Sequence, residues 1–107
     1  MGVLVQSSRL IYITSLRNDL EYKIQIINTS RTNLMNTINA TMVNGADMDP
    51  DSPEVRLMEQ RKQRLMLIDK KLEMQLQQYQ TQLQMINAEE QAISKNLQQN
   101  IERSYRA

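Results

Sequence analysis

The sequence predicts an all-α protein, an antiparallel two-helix hairpin of coiled-coil type whose second helix is longer than the first. Three observations carry this. Apolar residues recur at helical spacing through both halves. Breakers are scarce, with two Gly and two Pro in 107 residues. All of them except Gly2 fall in one central stretch, GADMDPDSPE, Gly45 to Glu54.

The second half shows the pattern most clearly. Leu65, Ile68, Leu72, Leu76, Tyr79, Leu83, Ile86, Ile93, Leu97, Ile101 and Tyr105 step by three or four, and Glu90 fills the one gap. The mean step is about 3.6, the period of an amphipathic α-helix, with no strand alternation. The first half repeats this. Ile13, Leu16, Leu20, Ile24, Ile27, Leu34, Ile38 and Met42 keep the same spacing, with Arg31 inside the series. A strict heptad would average 3.5 and force a left-handed supercoil. The mixed steps here predict nearly straight helices.

The central stretch reads as a turn. Asn44-Gly45 is a helix stop, because Gly tolerates the left-handed conformation that ends helices. Ser52, Pro53 and Glu54 form a start: a cap, a proline at the first helical position, and an acid at the positive end of the helix dipole. The expected boundaries are a helix over about 7–44, a turn over about 45–52 and a helix over about 53–105, all in one domain. A connection this short favours antiparallel neighbours. A calcium loop fits poorly. Counting from Asp47, Asp49 and Asp51 hold positions three and five, but Ser52 stands where glycine is required and Met58 where glutamate is required.

The helices would span roughly 55 and 80 Å at 1.5 Å per residue. Residues whose numbers add to about 97 would face each other across such a hairpin. Helix 1 would then run out opposite residue 90 or so, leaving AISKNLQQNIERSYRA without a partner in the chain. The apolar stripe continues through it, so Ile93, Leu97, Ile101 and Tyr105 are the expected contact residues for another protein. Arg31 and Glu90 are the polar residues of the seam. Arg31 is expected to snorkel out at the seam edge. The competing reading is an ion pair, with Asp69 and Glu73 within a turn or two. Glu90 is expected to face solvent, with Arg9 its nearest basic neighbour.

Composition excludes several function classes. Cys and His are absent, which removes disulfides, the usual zinc ligands and the commonest catalytic bases and nucleophiles. No glycine-rich phosphate loop occurs, and the adjacent Glu89 and Glu90 point about 100° apart on a helix. No enzyme activity, cofactor or metal is expected. The net charge is +1, so nothing pulls the chain as a whole toward nucleic acid or membrane. The basic stretch EQRKQR, Glu59 to Arg64, is interleaved with acids and has no aromatic neighbour for base stacking. No apolar run is long enough to span a membrane. The start MGVLVQS lacks a secretory pattern and departs from the myristoylation pattern at Gln6. Synthesis in the cytoplasm is expected. The methionines and the glutamine-rich MQLQQYQTQLQ suit helix packing and a solvated helix face.

The turn DPDSPEVRLM and the tail NLQQNIERSYRA together resemble type III secretion needle proteins. Those are small helical hairpins with a P-x-x-P turn and a C-terminal helix that packs into a filament. Pro50 and Pro53 match the turn, and Ile101, Tyr105 and Arg106 match the tail. The resemblance covers only these two segments. Family members have a shorter second helix, and P-x-x-P alone is common. It implies that the tail is a polymerisation element. The expected function is therefore a structural protein that self-associates by helix packing, within a secretion or filament assembly. The alternative is a small chaperone or adaptor that holds one heterologous helix. A third reading, a nucleic-acid binder, rests on the basic stretch alone.

Overall fold

The computed structural model describes residues 2–106. Two helices account for nearly all of them, α1 over Val3–Gly45 and α2 over Pro53–Arg106, and α2 is the longer. The fold is a two-helix hairpin, as the apolar periodicity predicts. The contacts divide the chain into two compact units, Gln25–Gln77 and Met1–Ile24 with Gln78–Ala107. This division is natural where two helices pair side by side, because each segment touches only the segment across from it.

The unit Gln25–Gln77 contains the turn. Ser52 caps α2, with its hydroxyl oxygen accepting from the Val55 N–H at 3.3 Å. Asp49 closes the preceding loop twice. Its carboxylate accepts from the Asp51 N–H at 3.1 Å and its carbonyl from the Ser52 N–H at 3.0 Å. These are the local bonds that Asp and Ser offer at turns and caps.

Gly45 acts differently from the expectation. Among the described residues no glycine has a positive φ, and Gly45 is the last residue of α1. Its lack of a side chain serves a close approach instead. A Cβ here would sit 3.2 Å from the Met58 sulfur, tighter than ordinary van der Waals contact. A larger residue here would require the flexible Met58 side chain to shift by a few tenths of an ångström.

Ile27, Ile38 and Leu76 are the buried side chains of this unit. Three of the four threonines along its α1 segment bond back to their own helix. The hydroxyls of Thr32, Thr37 and Thr41 donate to the carbonyls of Asn28, Asn33 and Thr37 at 2.9–3.0 Å. Each satisfies its hydroxyl within its own helix, a bond that threonine makes readily.

In the unit Met1–Ile24 with Gln78–Ala107, the buried side chains are Ile13, Leu20 and Ile93. One boundary and the pairing differ from expectation. Helix α1 begins at Val3, four residues early. The helices also pair further along than a total of 97 implies, since Gln6 bonds Asn100 and Arg17 bonds Glu90. Much of the tail therefore has a partner in this chain. Ile93 is only 6% exposed, so it is core and not a free contact residue.

Side-chain direction contributes about two residues of this shift, and the remainder reflects how the helices pair beyond the turn. Side chains lean toward the N-terminus of their own helix, and each covers a spot about one position before its own Cα. In an antiparallel pair both leans act in the same sense, so touching residues add to a higher number than facing backbone does.

Truncating Ile93 to Ala is expected to cost about 2 kcal/mol, the low end for large-to-small changes because the core is thin. Leu67, 62% exposed, should cost under about 0.5 kcal/mol on the same truncation. Urea unfolding followed by circular dichroism at fixed protein concentration measures both.

Candidate functional site

The cross-helix polar contacts determine which positions meet. In the unit Gln25–Gln77, Arg31 on α1 forms a forked pair with Asp69 on α2. Nε donates to Oδ1 at 2.9 Å and a terminal nitrogen donates to Oδ2 at 3.3 Å. Glu73 lies 3.9 Å from the same guanidinium. Asp69 is the more sheltered partner, with its side chain 16% exposed. The hydrogen bond to Asp69 raises the pKa of Arg31 above its ordinary value. Arg31 thus forms the ion pair, where free snorkelling was the expectation. A planar guanidinium opposite a carboxylate fixes both distance and orientation.

The unit Met1–Ile24 with Gln78–Ala107 is tied by Glu90. Its carboxylate accepts from the Arg17 guanidinium and from the Thr14 hydroxyl, the latter at 3.5 Å. Glu90 is half-buried, so the expectation of a solvated glutamate does not hold. Arg17 is its basic partner, and Arg9 instead lies 3.9 Å from the exposed Glu89. The cause is again the pairing offset, which brings residue 17 rather than residue 9 to the carboxylate. Arg17 Nε is shielded from solvent and has Glu21 at 3.9 Å. Further along, the Asn100 side-chain amide donates to the Gln6 side-chain oxygen Oε1 at 2.7 Å. Lys23 sits 5.8 Å from the Tyr79 ring centre, and its hydrogen bond to Asp19 raises its pKa.

The four tail residues separate. Ile93 is core and Leu97 is half-buried. Ile101 is 39% exposed and Tyr105 is 88% exposed, so these two remain open to a partner. The basic side chains Arg61, Arg64, Lys70 and Lys71 are exposed. Shallow grooves occur beside the turn, lined by Thr41, Met42, Val55 and Met58, and beside Leu10, Thr14, Ser94 and Gln98.

The large exposed apolar residues that periodicity passed over lie mainly on α1. Leu4, Ile11, Tyr12 and Tyr22 are each more than half exposed, and Val43 is 71% exposed. For Leu4, Ile11 and Tyr22 the signal was present as a second spacing series on the same helix, hidden because Ser8, Ser15 and Asn18 fill its other positions. Among the described residues no helix is long and apolar enough to cross a membrane. Comparison with models of known families, with curated proteins and with solved structures finds no match to this chain.

The Arg17–Glu90 pair gives a test of the pairing. Reversing one charge, as in Glu90→Arg, places two guanidiniums together and should cost about 1 kcal/mol, within the range for partly exposed pairs. Adding Arg17→Glu should recover most of the loss. Thermal melts of the two single variants and the double variant measure this coupling.

Proposed function

We propose that this chain is a non-enzymatic structural protein that acts by packing its helices against further copies of itself. One observation carries the reading. The core is thin and the apolar surface left outside it is broad. Ile13, Leu20, Ile27, Ile38, Leu76 and Ile93 make up the buried apolar core among the described residues. Far more large apolar side chains remain exposed, among them Leu4, Ile11, Val43, Leu57, Met85 and Tyr105. Single exposed apolar residues are ordinary on any surface, but this balance is that of a subunit whose core is completed by association.

The charge distribution supports the same reading. Net charge is +1, so copies do not repel one another strongly. The resemblance of the P-x-x-P turn and the tail to secretion needle proteins gives the form such an assembly would take, a filament or secretion structure built from hairpins. Ile101 and Tyr105 are its candidate tail contacts.

The test is solution mass by light scattering over a wide concentration range. Self-association predicts a mass that rises with concentration from the 12.5 kDa of one chain. Replacing Ile101 and Tyr105 together by Asp should lower the association while leaving helix content unchanged. A mass fixed at one chain throughout removes self-association and turns the search to one heterologous helix.

A further inference from the structure

The basic residues near the start of α2 are interleaved with acids in the sequence, and folding separates the two. Within the unit Gln25–Gln77, Met58, Lys62, Leu65, Asp69, Leu72 and Leu76 are buried or half-buried positions of α2. Nine positions amount to a half-turn around a helix. Leu67, Lys71 and Met74 stand nine positions after Met58, Lys62 and Leu65, and Arg56 stands nine before Leu65. These four therefore lie on the side away from α1. Arg64 and Lys70 flank them, one on each side, and all six are exposed.

The acids of this stretch lie elsewhere. Asp69 is held in the forked pair with Arg31, and Glu73 is 3.9 Å from the same guanidinium. Glu59 lines the groove beside Thr41 and Met42. Glu54 is in the first turn of α2, one turn before the half-buried Met58. Arg56, Arg64, Lys70 and Lys71 have no ion-pair partner among the described residues. The other outward positions, Gln60 and Gln63, are uncharged. What remains is a stripe about 27 Å long with four cations and no acid.

We propose that this stripe rests on an anionic lipid surface, with its four cations among the headgroup phosphates and carboxylates and with Leu67 and Met74 entering the boundary between headgroups and acyl chains. This goes beyond the self-association reading and does not rest on it. The net charge of +1 does not oppose it. Salt screens charges beyond about 8 Å, and a helix is about 10 Å across, so the surface meets the stripe and little of the acid behind it.

The apolar members of the stripe select lipid among the polyanions. Leu67 is 62% and Met74 57% exposed, both near the midline with cations around them. A lipid surface takes up apolar side chains at that depth, while the stems of Lys and Arg lie along it and their heads stay in the headgroup layer. A nucleic-acid backbone would bind the cations but has no apolar phase for Leu67 and Met74. The stripe also has no aromatic side chain on which a base could stack. A second copy brought stripe to stripe would set cations against cations. Among the described residues no helix is long enough and apolar enough to cross a membrane, and the stripe lies on the surface without crossing it. Four cations and two apolar side chains make a reversible contact that depends on salt and on lipid charge.

The test is flotation of the full chain with vesicles of phosphatidylcholine alone, or of phosphatidylcholine with a third of its lipid replaced by phosphatidylserine. The chain should float with the anionic vesicles and not with the neutral ones, and added salt should release it. Lys70→Gln with Lys71→Gln should weaken binding about tenfold or more. Lys95→Gln with Arg103→Gln removes the same charge away from the stripe and should change binding by less than about twofold. Leu67→Gln should weaken vesicle binding severalfold and leave retention by a short DNA duplex unchanged. Circular dichroism checks that each variant keeps its helix content. Absence of flotation with the anionic vesicles overturns the proposal. So do equal effects of the two charge pairs, or vesicle binding indifferent to Leu67→Gln. Tighter retention by the duplex than by the vesicles also overturns it and makes the stripe a nucleic-acid surface. Self-association is judged by solution mass, which none of these results decides.

Discussion

Two helices side by side touch along only one stripe each, and this limit shapes the rest of the molecule. A third helix would let each stripe widen and would enclose side chains from several directions. Here none of the core residues falls below 4% exposed. Because the stripe is narrow, its members must recur at the helical period, and polar residues within it must find partners across the seam. Arg31 and Glu90 do so through Asp69 and Arg17. Each pair then has two effects. It relieves a charge held at the edge of an apolar stripe, and it admits only the register in which its partners meet.

The fold was legible because periodicity and turn chemistry are local. Helical spacing fixes the two elements, and Ser52-Pro53-Glu54 fixes where the second begins. Register is not local. It depends on how the chain crosses the turn and on how far each side chain leans, and neither is written in the spacing. The residue numbers add to 100 in the Arg31–Asp69 pair and to 107 in the Arg17–Glu90 pair, where backbone reflection alone gave about 97. A shift of a few residues was enough to move Ile93 from a supposed free stripe into the core. It also exchanged Arg9 for Arg17 as the partner of Glu90.

Gly45 shows a related limit. Its place after a helical series reads as a left-handed stop, and glycine serves that role often. What the structure shows at Gly45 is a close approach to the Met58 side chain, a contact between residues on different helices. The identity of the residue was informative, but the contact it makes lay across the turn. The outward series of α1 was hidden in another way. A spacing search weighted toward apolar residues finds Leu4, Ile11 and Tyr22 too far apart to join, because Ser8, Ser15 and Asn18 stand between them.

The two helices differ in how they meet water. Helix α2 carries sixteen charged side chains and α1 carries six. Helix α2 also has Glu54 in its first turn and Arg103 and Arg106 in its last, each at the end of the dipole that favours it, whereas α1 has no acid in its first turn and no base in its last. From Thr32 to Ala46 there is no charge at all. Helix α2 has the composition of a solvated helix on every side that does not face α1. Helix α1 is low in charge but not in polarity, because serine, threonine and asparagine fill much of its exposed surface. A charge added to the outward side of α1 would be tolerated by the hairpin and, on the self-association proposed above, would oppose assembly. On that same proposal, the few charges of α1 and the apolar stripe of the longer helix and its tail would both favour contact with a further copy.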